Sequence, residues 1–364
     1  SLVGLGTWLT GVEADERASI RVVHAALDAG ITLIDTAPSY GWGRAEEILG
    51  RAIRGRREQV VIATKCGIWW ADERGSFNGH KDGRDTYICL QAETMRLEVE
   101  ASLKRLNVEA IDLLQVHKPA IEPRLTPIEE TMGCLIDLKR EGKVRAIGVS
   151  NVSMEQLGCY QIHGNLDTQQ CRYNMLNRGL ERTLLPFCRG QNIASLTYTS
   201  LEQGLLTGKV TLDREFDPED FRRDVGEWMP WFKPENLTRL LAIFAGWQEL
   251  LEHYQCSITQ LVIAWTALEP RASHVLCGSR SVDQVLENAG AGDIELGKDD
   301  SARITTDLDK LGAPRDPRLR VPPPPTSRDR AAPPLVRRVC APGPVRRAGW
   351  RADAQRGRLL PVRP

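Results

Sequence analysis

The architecture is read first from one segment. It runs Ile111-Asp112-Leu113-Leu114-Gln115-Val116-His117, continues through an amphipathic stretch over 128–140, and returns as Val144-Arg145-Ala146-Ile147-Gly148-Val149-Ser150. A short apolar run, a helical pattern and a second short apolar run argue for two parallel strands joined by a helical crossover. Capping chemistry marks the helix. Thr126-Pro127-Ile128-Glu129 offers an N-cap hydroxyl, a proline at the first helical position and a glutamate that can reach back. Lys139 and Arg140 suit the negative end of the helix dipole, and Gly142 can take the left-handed conformation that ends a helix.

The same unit recurs on both sides. Apolar runs occupy 2–7, 31–36, 60–65, 111–117, 144–150, 166–173, 193–200 and 274–278. Helical patterns cover 18–27, 46–53, 91–106, 128–140, 154–160, 181–188 and 236–253. Eight such strands predict a closed (β/α)8 barrel, a TIM barrel of class α/β, over residues 1–312. Ser153-x-x-Gln156 and Ser281-x-x-Gln284 have the spacing of a capping box. Two segments break the repeat. Residues 71–86 are polar with three glycines, and 211–234 carry Trp228 and Trp231. Both are read as long loops on the face where barrel enzymes keep their sites.

The formal net charge of zero hides an asymmetry. From Pro314 onward there are thirteen Arg, three Asp and no Lys or Glu, a net +10, so the remainder carries −10. Residues 313–364, rich in Arg and Pro, cannot bury enough apolar surface to offset their ordering entropy and are expected to be disordered. An acidic body does not suit nucleic acid. No run approaches the roughly 18 apolar residues of a membrane span. Nine cysteines without a C-x-x-C pair speak against a zinc ribbon or disulfide framework and for free thiols in a reducing cytoplasm. The expected partner is a small molecule, bound by a cytoplasmic monomer or weak homo-oligomer.

Four residues at strand ends carry chemistry together. Asp35 and Tyr40 follow the second strand, Lys65 ends the third and His117 ends the fourth. A phenol near pKa 10 is a poor acid at neutral pH, but a neighbouring ammonium stabilises its phenolate. Lys65 is expected to lower the Tyr40 pKa, Asp35 to hold Lys65 charged, and His117 to orient a carbonyl oxygen. Such a site donates a proton. The hydride must come from a cofactor.

These residues sit in a wider set: Gly4-Leu5-Gly6-Thr7-Trp8, Gly43…Glu46-Glu47, Ala63-Thr64-Lys65, Gly148-Val149-Ser150-Asn151, Gln170…Tyr173-Asn174, the run Gly204-Leu205-Leu206-Thr207-Gly208-Lys209, and Gly278-Ser279-Arg280…Gln284…Glu287-Asn288. In this order the set resembles the aldo-keto reductase family over roughly residues 1 to 312. The resemblance implies an oxidoreductase that reduces an aldehyde or ketone with NADPH/NADP+, reversibly, through a tetrad at Asp35, Tyr40, Lys65 and His117. It implies that Ser150, Asn151 and Gln170 hold the nicotinamide carboxamide and that Tyr198 stacks on the ring. It implies Arg280 at the adenosine 2′-phosphate, with Ser279, Gln284 and Lys209 nearby and Glu287 and Asn288 at the adenine. Cofactor contacts are further implied for Gly6, Thr7, Trp8, Asp35, Thr199, Ser200, Leu201, Gln203, Gly204 and Gly278. There is no G-x-G-x-x-G after the first strand, so a Rossmann mode is not indicated.

Trp8, Trp42, Trp69, Trp70, Trp228 and Trp231 are candidates for the substrate pocket. Two other readings compete. A cofactor-binding redox sensor or channel-associated subunit with little turnover would keep the same tetrad. A metal-dependent barrel enzyme would need several histidines at strand ends, and the chain has six in total. No metal is therefore expected.

Overall fold

The strand runs fold as predicted because they are largely apolar and covered on both sides: Ile111–Val116 is buried at every position, Asp112 and Gln115 included. The computed structural model describes residues 1–12, 15–217, 220, 222–223, 225, 229–268 and 271–315, with the backbone of 350–353 and 358–361. Its barrel strands are β1 (Val3–Gly6), β2 (Leu33–Asp35), β3 (Val61–Cys66), β4 (Ile111–Val116), β5 (Val144–Ser150), β6 (Thr168–Arg172), β7 (Ala194–Tyr198) and β8 (His274–Gly278). They pair in parallel in sequence order. β8 returns to β1 through Val3↔Val275 to Gly6↔Gly278, so the sheet closes without an edge.

Two cores follow from the strand period of two. Leu33, Ala63, Leu113, Leu196 and Leu276 form a small cluster of their own. Two residues further along each strand, on the same face, come Asp35, Lys65, Gln115, Tyr198 and Gly278. The apolar layer thus ends where the polar groups begin. Alternate residues such as Ile34, Ile62, Leu114 and Ile147 pack into the larger core with Ala26, Leu49, Val99 and Leu135 from the helices. Fully burying one such leucine or isoleucine contributes about 1.5–3 kcal/mol.

Several expectations change. Residues 71–86 are mostly not a loop. Ile68–Trp69, Ser76–Lys81 and Arg84–Ile88 make a three-stranded antiparallel sheet. Its hairpin turns at Asp82 and Gly83, both left-handed with φ 49° and 75°, between paired Lys81 and Arg84. The predicted helix over 236–253 is two, Pro234–Ala245 and Gln248–Tyr254, parted where Gly246 precedes the buried Trp247. The helix Ile258–Ala267 was not predicted; it is buried on nearly every side and shows no polar face. Ser153 and Gln156 form the expected capping box. Thr126 does not cap its helix, whose N-cap is Pro127 without a side-chain bond. Gly142 does take the left-handed conformation, at φ 76°.

Trp228 lies outside the described residues. So does most of the tail whose disorder the composition predicts. Beyond 315 the description holds only Trp350–Asp353 and Arg358–Pro361, two short strands paired with each other. Among the described residues no helix is long and apolar enough to cross a membrane, no cluster of three metal-ligating side chains occurs, and seven cysteines are free.

Candidate active site

The ends of β2, β3 and β4 converge on one buried cluster. Lys65 Nζ donates to Asp35 Oδ2 at 2.6 Å, to the Thr36 carbonyl at 2.9 Å and to the Tyr40 hydroxyl at 3.4 Å. Tyr40 is set by a turn in which its amide donates to the Ala37 carbonyl at 3.1 Å. The His117 ring meets the Tyr40 ring edge-on, with centroids 5.9 Å apart. Asp35 Oδ1 also accepts from Gln170 Nε2 at 2.7 Å and from Gln115 Nε2 at 3.5 Å. Behind Lys65, buried Glu46 accepts from Thr64 Oγ1 at 2.6 Å and pairs with Arg105 at 2.7 Å, which fixes the strand that carries the lysine.

Burial sets the protonation states and the charges modulate them. Burial pulls Lys65 down, but the Asp35 charge and hydrogen bond, with Tyr40, carry it above its ordinary value, so it stays an ammonium. Burial raises the Tyr40 phenol. The Lys65 charge pulls the other way without overcoming it, and Asp35 adds to the rise. The expected lowering by Lys65 is present, but desolvation exceeds it, and Tyr40 holds its proton at neutral pH. Burial, then Lys65, Lys118 and Lys81, hold His117 well below its ordinary value. It is a neutral imidazole with one N–H to donate.

Tyr40 and His117 open on a cavity of about 750 Å3 that extends from Trp8 to Arg280 and Asn288. At the near end lie Ser150, Asn151, Gln170 and Tyr198. Asn151 is left-handed, at φ 61°, a conformation that asparagine tolerates. Its Nδ2 donates to the His117 carbonyl at 2.9 Å and to Ser150 Oγ at 3.1 Å, and its Oδ1 accepts from the Tyr198 hydroxyl at 2.6 Å. Thr199, Ser200, Leu201, Gln203 and Gly204 continue the wall, with left-handed turns at Thr199, Gln203 and Gly204.

At the far end, Ser281 caps the helix Val282–Ala289 by accepting from the Gln284 amide. Gln284 does not complete the box; its Oε1 accepts from the Arg280 amide at 2.7 Å instead. Asn288 Nδ2 donates to Ser279 Oγ at 3.1 Å. Lys209 Nζ pairs with Glu287 at 2.6 Å, and Arg280 lies 3.9 Å from Asp220. The cavity therefore has a cationic end beside a helix N-terminus and a polar end beside the tyrosine. Polar groups at both ends suit a two-ended ligand such as a dinucleotide.

Of the candidate tryptophans, Trp8 lines the cavity. Trp42 and Trp70 pack against each other, with centroids 5.5 Å apart. Trp69 turns to Asp72, donating from Nε1 at 2.8 Å. Trp231 is buried in the main core rather than on the cavity wall. Sequence reasoning missed Leu9, Lys118, Arg214, Phe216 and Arg222, which also line the cavity. Lys118 adjoins His117 and could have been found there. Leu9 sits in the short helix Trp8–Val12, and Arg214, Phe216 and Arg222 sit on irregular chain with no periodic signal.

Known proteins are similar to this chain in sequence and fold. The model of the Aldo/keto reductase family matches residues 2–308. An Escherichia coli protein named NADH-specific methylglyoxal reductase is 40% identical over 83% of this chain and 92% of its own. The aldo-keto reductase YhdN of Bacillus subtilis is 38% identical over 89% of this chain and 95% of its own. The solved glycerol dehydrogenase of Gluconobacter oxydans superposes with a TM-score of 0.77 at 34% identity, covering 87% of this chain and 94% of that one. Identity of this extent over most of both chains exceeds what a shared barrel alone entails. The chain belongs to the aldo/keto reductase family, oxidoreductases that work on carbonyl compounds with nicotinamide cofactors.

Proposed function

We propose that the protein reduces an aldehyde or ketone to its alcohol with NADPH, and that Tyr40 delivers the proton to the carbonyl oxygen. The observation that carries this reading is the position of Lys65 Nζ, 2.6 Å from Asp35 Oδ2 and 3.4 Å from the Tyr40 hydroxyl, beside a cavity that His117 also lines. The bound nicotinamide supplies hydride. Tyr40 keeps its proton until negative charge grows on the carbonyl oxygen, then gives it up. Lys65 offsets the charge left on the phenolate, and Asp35 keeps Lys65 in place. Neutral His117 donates its N–H towards the same oxygen and orients the carbonyl. Ser150, Asn151 and Gln170 bind the carboxamide, and Tyr198 offers a ring face. Trp8 gives the substrate an apolar wall.

The preference for NADPH rests on charge. Arg280, Lys209, Arg214 and Arg222 face the far end of the cavity, against Glu287 there and Asp220 beside Arg280. The surplus of cations suits the extra phosphate, and a guanidinium suits its geometry. Since one relative is named NADH-specific, the assay runs both cofactors over a panel of small aldehydes and ketones. Turnover with NADPH at least about tenfold more efficient than with NADH is expected. Equal use of NADH removes the cofactor assignment. No turnover of any carbonyl removes the reductase reading.

A further inference from the structure

Among the described residues, the mouth of the cavity carries cations that form no ion pair with a carboxylate. Lys118, next to His117, lines the same cavity as Tyr40 and Trp8. It is exposed yet held. Its Nζ donates to Asn78 Oδ1 at 3.1 Å, Asn78 Nδ2 donates to Thr86 Oγ1 at 3.0 Å, and Thr86 Oγ1 donates to the Gly79 carbonyl at 2.8 Å. Three linked hydrogen bonds thus tie an ammonium at the cavity wall to the hairpin of 76–88. From the tip of that hairpin, Lys81 places its Nζ 5.9 Å from the centroid of the Trp8 ring. Arg84, paired with Lys81 across the turn, lies over Trp42 at 5.4 Å.

Among the described residues, no carboxylate oxygen comes within 4.0 Å of the side-chain nitrogens of Lys81, Arg84 or Lys118. The hairpin's Asp85 is engaged by His80 at 2.9 Å. Other barrel lysines differ: Lys139 holds Asp167 at 2.8 Å and Lys209 holds Glu287 at 2.6 Å. Both Lys118 and Lys81 act on the His117 ring, so their field reaches the reacting end of the cavity. Even with Asp82 and Asp85 in the same hairpin, a positive field from these side chains at a cavity mouth concentrates anions there and steers their entry.

We propose that the substrate carries an anionic group, a carboxylate or a phosphate, which Lys118 and Lys81 receive while its carbonyl meets Tyr40 and His117. This rests on the reductase reading above and names its substrate class. Asn78 is a positioning residue that acts through Lys118. Recognition of this kind lowers KM for the charged substrate more than it raises kcat, and it weakens as salt screens the exposed ammonium groups.

The test compares three aldehydes of equal chain length, ending in a methyl group, a carboxylate or a phosphate. The anionic members are expected to show kcat/KM about 10-fold above the neutral one at low ionic strength, with the gap closing at high salt. The better of the two anions identifies the group. Lys118→Gln and Lys81→Gln each shrink the anionic-to-neutral ratio several-fold, chiefly through KM, while Lys118→Arg preserves it. Because each ratio is taken on one preparation, a partly misfolded variant does not distort it. A ratio near one in the wild type, or a ratio unchanged in both Gln variants, overturns this proposal alone. Turnover of none of the three overturns the reductase reading and this proposal with it.

Discussion

Lys65 Nζ stands 2.6 Å from Asp35 Oδ2, and the two side chains keep only 1% and 5% of their exposure. A buried pair adds little to stability as a whole, but removing one member strands the other charge in a low dielectric. Asp35→Asn is expected to destabilise the barrel by about 3 kcal/mol in urea unfolding. Adding Lys65→Met to Asp35→Asn should recover stability without restoring activity. A double variant as unstable as the single one contradicts this account of the pair.

A second buried carboxyl gives the fold a pH dependence. Burial pushes Glu98 up to about 8 from 4.5, although it accepts the Gly67 amide at 2.7 Å. The folded state therefore holds a proton that the unfolded chain releases. This contribution to stability is complete below about pH 4.5 and is lost as pH rises through about 8. Urea midpoints should fall from pH 5 to pH 8 in the wild type, and less so in Glu98→Gln, which keeps an oxygen for Gly67. Parallel pH curves for the two proteins contradict this assignment.

Two glycines should respond oppositely to alanine. At Gly148 in β5 a Cβ would lie 2.0 Å from Thr168 Oγ1 and 2.8 Å from the Thr168 carbonyl oxygen. Gly148→Ala is expected to cost about 1–3 kcal/mol and to disturb the neighbouring Ser150 and Asn151. At Gly133, inside the helix Ile128–Arg140, a Cβ meets nothing within 4 Å. Gly133→Ala is expected to stabilise by about 0.5–1 kcal/mol. Thermal midpoints of the two variants check both signs.

Arg280 and Lys209 differ in the geometry they offer a phosphate. Lys209 is a point charge paired with Glu287 at 2.6 Å, whereas Arg280, 3.9 Å from Asp220, presents a planar guanidinium fork. Arg280→Ala is expected to lower the NADPH-to-NADH ratio of kcat/KM by about 10-fold or more, and Lys209→Ala by less. An unchanged ratio in Arg280→Ala removes that residue from the 2′-phosphate.

The barrel was legible because most of its strands are short, largely apolar runs separated by helical patterns, and its first cap signals are local. Asp35, Tyr40, Lys65 and His117 were legible because each stands at a strand end, and the structure brings them together. The hairpin of 76–88 was misread from its polar and glycine content, though Asp82-Gly83 carries the two-residue turn signal. The helix Ile258–Ala267 lacked an amphipathic period, yet Ser257 and Gln260 form a capping box that marks its start. The direction of the Tyr40 shift was not legible. It depends on how deeply the hydroxyl is desolvated, which a list of neighbours does not reveal. Trp231 could not be separated by sequence from a pocket tryptophan, because core and cavity both favour the same side chain.

The most direct test of the central claim is the pre-steady-state reduction of one aldehyde by saturating NADPH in wild type and Tyr40→Phe, with NADPH affinity measured separately. Phenylalanine keeps the ring against His117 and removes only the hydroxyl that Lys65 approaches at 3.4 Å. The account predicts a loss of about 100- to 10,000-fold in the reduction step, with cofactor affinity nearly unchanged. Equal rates in the two proteins would contradict Tyr40 as the proton donor.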